Sequence, residues 1–333
     1  MLNETEAKTV HPFEVRGLVK ERPDFQLGPL DWHLPQGQIM GLAGPNGSGK
    51  TTLLRSLIGM IPPSAGQVLS FGVGIGPNTP LPQQVGLVLD KPALSSTIRV
   101  AQLPKLGAVL YPSFDEGMFV QVMSDLDMPI SKKPLHKLSR GMQVKAQLAL
   151  ALASGAATLI LDEPTSGLDP SSRSTILDLL QDYCAADDRR SVLFSTHIVS
   201  DLEHVADQVT ILLGGQIKDL GTPDELRRRY LVVRGSNEQL QTSGGQVLQR
   251  HCYGLKTSAL GFEALVETPK LGIFSDAANT EDVVQALHID GLPPLVIESA
   301  SLDEIVAYLG KKSAVASKFT SIQAQPETCK EGN

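Results

Sequence analysis

The stretch GPNGSGKT, Gly44 to Thr51, decides the fold. It matches G-x-x-x-x-G-K-[ST], and its flanks give that spacing a physical meaning. Before it, IMGLA (39–43) is a short apolar run that reads as a strand. After it, TTLLRSLIGM reads as a helix, stopped by IPPSAG, where two prolines cannot continue the helix and Gly permits the turn. Between strand and helix, glycines let the backbone of Gly44, Pro45, Asn46, Gly47, Ser48 and Gly49 curl around phosphate groups. Lys50 adds a cation toward the β and γ phosphates, the Thr51 hydroxyl is a magnesium ligand, and Thr52 closes the same stretch. The stretch therefore reads as a nucleotide-phosphate site.

A phosphate site that does chemistry needs acids. LILDEP (159–164) supplies them at the end of the continuous apolar strand TLILD (158–162). Asp162 is placed to hold magnesium through water, and Glu163 to orient or polarise an attacking water. An acidic strand end alone is common; the upstream loop gives this one its meaning. SVLFST (191–196) and VTILL (209–213) are two further strands, and VGLVL (85–89) another. Short apolar strands alternating with helices imply a largely parallel sheet covered on both faces. Such a sheet delivers its carboxyl ends to one edge, which brings His197 of STH (195–197) toward the γ-phosphate. His136 and His204 read as ordinary surface or core residues.

LSRGMQ (138–143) raises a different question. Ser139 and Gly141 sit where a helix begins, with Met142, Ala146, Ala149, Leu150 and Ala153 at helical spacing behind them. A helix N-terminus favours anions, so the chain has a second phosphate-binding turn. The remainder is organised around these motifs. The middle, about 92–137, reads as mostly helical with breaks at Pro104, Pro112, Pro129 and Pro134. Gly214 and Gly215 read as a tight hairpin from VTILL to QIKDL, and TPDE (222–225) as a helix start. Residues 231–312 form an accessory segment with strand-like pieces and a helix near 281–288, and the polar residues 313–333 read as a disordered tail.

Bulk properties narrow the class. The 333 residues allow one large domain and a smaller one, and 41% hydrophobic content suits a sizeable core. A net charge of −7 argues against a nucleic-acid partner. Cys184, Cys252 and Cys329 lack metal-ligand spacing and suit a reducing cytosol. No apolar run reaches the roughly 18 residues of a membrane span, and the N-terminus lacks the pattern of a secretory signal.

The ordered set GPNGSGKT, VGLVLD, LSRGMQ, LILDEP, SGLDP and STH resembles the ATP-binding subunits of ABC transporters over roughly residues 13–230. The resemblance implies an α/β fold of the P-loop NTPase type. Its parts are a mostly parallel sheet core, an antiparallel β subdomain and a helical subdomain at about 92–153, with a small C-terminal α/β accessory domain after residue 230. It implies ATP and Mg²⁺ as ligands. It also answers the question of the second turn: two such subunits, alike or different, pair head to tail. The Ser139, Arg140 and Gly141 turn of one closes over the nucleotide on the Gly44–Thr51 loop of the other. Asp169 of SGLDP then lies at that interface. A separate integral-membrane permease is the further implied partner, which places the chain in the cytoplasm against the inner face of the cell membrane. LYPSFDE (110–116), DPSSR (169–173) and ASLDEIVAYLG (300–310) resemble the subunits that energise bacterial ABC-2 type exporters.

Three positions depart from the family pattern. Asp90 in VGLVLDKP stands where a Gln is usual, and the resemblance makes it a magnesium-side ligand in a loop that also touches the permease. Arg140 replaces a Gly and adds a cation near the phosphates, facing the dimer partner. The usual adenine-stacking Tyr is missing near VKERPDF; Phe25 stacks on the base, or Arg22 does so through its guanidinium, or Phe25 is core. Other readings are an ATP-binding regulatory partner with little turnover, and a non-transport ABC ATPase.

Overall fold

A computed structural model describes residues 10–267 and 295–310, apart from 77, 81, 83 and 91–93. The chain divides into two compact units, one running to Pro223 and one starting at Asp224. The helix expected near 281–288 and the tail at 313–333 lie outside the described residues.

The first unit opens with a hairpin, β1 (Phe13–Arg22) and β2 (Phe25–Leu34), followed by β3 (Ile39–Ala43) and α1 (Lys50–Leu57). Next come β4 (Ala65–Ser70), β5 (Val73–Ile75) and β6 (Val85–Val88), then α2 (Leu103–Leu110), α3 (Glu116–Asp125) and α4 (Arg140–Leu152). The unit continues through β7 (Thr158–Asp162), α5 (Pro170–Ala185), β8 (Ser191–Thr196), α6 (Ser200–Val205), β9 (Gln208–Leu213) and β10 (Gln216–Gly221).

Two sheets organise it. One is antiparallel, in the order β2-β1-β4-β5. The other has the order β10-β9-β3-β8-β7-β6, with every pair parallel except β10 on β9. β3, β7 and β8 are buried at every residue, as their uninterrupted apolar runs require when helices or a second sheet cover both faces. Phe13, Trp32, Met40, Leu53, Leu57, Ile160, Leu193 and Leu212 join the two sheets and α1 in one core. The Trp32 indole N–H, buried between them, donates to Thr210 Oγ1 at 3.0 Å, which satisfies both polar groups. The expected mostly parallel sheet with its antiparallel β subdomain is what the chain adopts, with β10, among the described residues, the one antiparallel strand of the larger sheet.

The middle of the unit is less helical than its sequence suggests. Pro104 does not break a helix but sits in the first turn of α2, where its missing N–H costs no hydrogen bond. Between α3 and α4 the chain is extended or in short turns, with Pro134 preceding one turn of 3-10 helix. Ser139 caps α4, its Oγ accepting from Met142 N at 3.2 Å.

The second unit starts inside α7 (Pro223–Arg229). It contains β11 (Tyr230–Gly235), α8 (Ser243–His251), β12 (Gly254–Ser258), β13 (Gly261–Glu267) and β14 (Val296–Ser299), and residues 302–310 are helical. The strands form an antiparallel sheet in the order β12-β13-β11-β14, covering a core that includes Val233, Leu248, Phe262 and Val266.

Candidate functional site

Strand register sets the site. Ala43 lies beside Thr196, Asp162 beside Ser195, and Val88 beside Leu161. The parallel strands β3, β6, β7 and β8 therefore end on one edge, and the loops after them converge there. A cavity of about 640 Å³ opens at that edge. Among its lining residues are Asn46 through Thr52, Asp90, Arg140, Asp162, Glu163 and His197.

The loop from β3 to α1 forms the floor. Gly49 is the N-cap of α1 at φ +112° with no side-chain cap, so the first N–H groups of the helix are left for an anion. A Cβ at Gly49 would come within 2.9 Å of Phe25 Cζ, and the positive φ is a second reason for glycine. The loop is braced from behind, where Gly215 N donates to Ser48 O at 2.9 Å. Ser48 Oγ is buried with no hydrogen-bond partner among the described residues, and a phosphate oxygen in the loop would supply one. Lys50 Nζ, itself buried, donates to Gly44 O at 2.6 Å and Pro45 O at 3.3 Å, which fixes the ammonium at the loop's centre.

The acids meet this loop. Thr51 Oγ1 donates to Asp162 Oδ1 at 3.2 Å, and Ser195 Oγ donates to the same oxygen at 2.7 Å. A hydroxyl and a carboxylate side by side form the oxygen donor set that a hard divalent cation takes, so the residues present fit magnesium. Glu163 holds φ +55°, an unfavourable region for a non-glycine residue. It is kept there by its N–H, which reaches Ser195 O at 3.1 Å and Ser195 Oγ at 3.2 Å. Its carboxylate is held at both ends: Oε1 lies 3.4 Å from Lys50 Nζ, and Oε2 lies 2.6 Å from His197 Nδ1. His197 thus addresses Glu163 directly.

The other sequence-selected residues divide into two groups. Phe25 both lines the cavity and packs on the core, and Arg22, its cross-strand neighbour at the end of the β1–β2 hairpin, also lines the cavity. Asp90 follows β6 and forms an ion pair with Arg140 at 2.5 Å. Arg140, expected to face a dimer partner, therefore lines the cavity of its own chain. Ser139, Gly141 and Asp169 do not line that cavity. Gly141 lies against Leu168, whose Cδ2 would be 2.7 Å from an added Cβ. Asp169 caps α5, accepting from Ser172 N at 2.9 Å and Ser172 Oγ at 2.7 Å. Those bonds, the backbone one foremost, hold its carboxyl below the ordinary range. Ser195 opens the STH motif, but the sequence reading gave it no role. Its only signal was its place as the first residue of STH, directly after the apolar run Val192–Phe194.

Comparisons with known proteins agree with this geometry. The ABC transporter family profile matches residues 27–166. The Nod factor export ATP-binding protein I of Neorhizobium galegae is 31% identical, over 76% of this chain and 78% of that protein. An uncharacterized ABC transporter ATP-binding protein of Nostoc is 34% identical over 61% of this chain, which spans 62% of that protein's length. Among solved structures, an ATP-binding subunit of an ABC transporter superposes with a TM-score of 0.58 at 26% identity, covering 66% of this chain and 92% of that one. The chain belongs to the ABC transporter family of ATP-binding proteins, and its first unit is an ABC ATPase domain.

Proposed function

We propose that the chain binds ATP with magnesium on the Gly44–Thr51 loop and hydrolyses it to energise a separate membrane permease, in the export direction. The observation that carries the reading is the convergence of Lys50, Thr51, Asp162, Glu163 and His197 on one sheet edge around one cavity. In this reading Lys50 and the first turn of α1 bind the phosphates. Thr51, Asp162 and Asp90 would hold magnesium, which supplies charge neutralisation at the phosphates when bound. Glu163 accepts the proton of the attacking water, and His197 keeps its carboxylate oriented.

Among the described residues no helix is long and apolar enough to cross a membrane, which is compatible with a permease carried on another chain and with this chain lying at the inner face of the membrane. Export rests on the ABC-2 resemblance and on the relative whose name states Nod factor export. Ser139, Gly141 and Asp169 stand outside their own chain's cavity, as a turn that serves a second ATP-binding subunit would. The proposed assembly is therefore a head-to-tail pair closed by ATP, with no nucleic acid involved.

The experiment is ATP turnover of the wild-type chain beside size analysis of Glu163→Gln with and without ATP. Turnover in the wild type, a fall of at least about 100-fold in the variant, and an ATP-dependent dimer of the variant are expected. Normal turnover by Glu163→Gln would remove Glu163 from its role. Wild-type binding without turnover would favour the regulatory-partner reading.

A further inference from the structure

Two of the departures noted in the sequence are joined in space. Asp90 leaves the end of β6, Arg140 opens α4, and the Arg140 guanidinium lies 2.5 Å from the Asp90 carboxylate. A second contact comes from the same helix. Gln147, 6% exposed, accepts from Leu89 N and donates to Leu89 O, both at 3.3 Å. Residues 140 and 147 are seven apart and share one face of the helix. α4 therefore grips the chain leaving β6 at two successive residues. Gln147 fixes the backbone at Leu89, and Arg140 takes the carboxylate of the next residue.

We infer that Arg140 is a positioning residue for its own chain's site, holding the Asp90 carboxylate at the cavity wall it shares with Thr51 and Asp162. This deepens the proposed ATPase function and rests on that reading. The physical reason is charge. An acid at position 90 adds a negative group to a cavity already lined by Asp162 and Glu163 and meant for phosphates. Arg140 offsets that charge and restricts where it points. The alternative is that Arg140 acts on phosphate directly, independently of Asp90. The pair is 56% and 38% exposed, so screening limits what it contributes to folding; its effect belongs to the site.

A double-mutant cycle on the full chain separates the two. Arg140→Gln, Asp90→Asn and the double variant are titrated with magnesium in the presence of a fluorescent, non-hydrolysable β,γ-imido ATP, and kcat is measured alongside. If Arg140 works through Asp90, each single variant raises the half-saturating magnesium about fivefold and the double variant does no worse than either. Arg140→Lys, which keeps the cation, returns most of the loss. Effects that multiply to about 25-fold in the double variant would overturn the inference, as would single variants that leave the magnesium dependence unchanged. Arg140 is exposed, so its replacement leaves the core intact. Failure of the wild type to bind the analogue at all would instead count against the ATPase reading, which keeps the two failures distinct.

Discussion

At the scale of single residues, the site depends on a serine to which the sequence reading gave no role. Ser195 Oγ serves Asp162 and the N–H of Glu163 together, at 2.7 and 3.2 Å. It thereby ties the Asp162 carboxylate to the backbone of Glu163, the residues proposed to hold magnesium and to activate water. Ser195→Ala is expected to lower kcat about tenfold while ATP affinity changes less than about twofold, with Ser195→Thr restoring most of the rate. Steady-state turnover beside equilibrium ATP binding would check this; an equal loss in both would mean that Ser195 only supports the loop. Lys50, Thr51, Asp162, Glu163 and His197 were legible as candidates because strand ends and loop spacing are local. The role of Ser195 was not, because its partners lie 32 and 33 residues away and only the β7–β8 register brings them together.

At the scale of elements, local rules explain most of what the chain does. Ser139 and Asp169 cap α4 and α5, so the residues that the family resemblance assigns to an interface also terminate helices. A cap and a partner-facing turn share one sequence signature, and only their place relative to the cavity tells them apart. The second unit offers an acid test. Arg234 of β11 reaches Glu263 of β13, Glu298 of β14 and Glu304 of the helix at 302–310, at 2.9, 2.7 and 2.7 Å. Glu263 also accepts from the Tyr308 hydroxyl and from Lys256 Nζ at 3.3 Å. The Tyr308 bond first, then Arg234 and Lys256, hold the Glu263 carboxyl at about 2, against an ordinary 4.5. A depressed carboxyl stabilises the fold fully above its ordinary value, and that contribution is lost as pH falls through the depressed one. Between neutral pH and about pH 3 the contribution falls by about 2 kcal/mol. Urea unfolding followed by hydrogen exchange at residues 254–267 should show that loss in the wild type and not in Glu263→Gln. Glu304 and Tyr308 fall in ASLDEIVAYLG, but nothing in the sequence joined them to Arg234, Lys256, Glu263 and Glu298.

At the scale of the whole molecule, a head-to-tail pair makes a prediction that a single-chain site does not. In such a pair, Lys50→Ala would disable the phosphate loop and Ser139→Arg the turn that one copy would offer to the other. Each variant alone should be inactive. Mixed in equal amounts, their mixed dimers have one composite site carrying both lesions and one carrying neither. If the two sites act independently, a statistical mixture regains about one quarter of wild-type turnover. ATP turnover of the mixture against each variant alone measures this; no recovery would count against composite sites shared between copies.

The sequence by itself determined the class of this protein. The loop at 44–51, the strand-end acids and the alternation of strands and helices are written in short windows, where spacing dictates backbone conformation and chemistry together. Tertiary structure alone decided the rest. It set Glu163 against both Lys50 and His197, gave Asp162 its serine, and turned Arg140 toward Asp90. The reason is that parallel strands are ordered by packing of both faces and by crossover helices, so side chains far apart in sequence meet only after the sheet has formed.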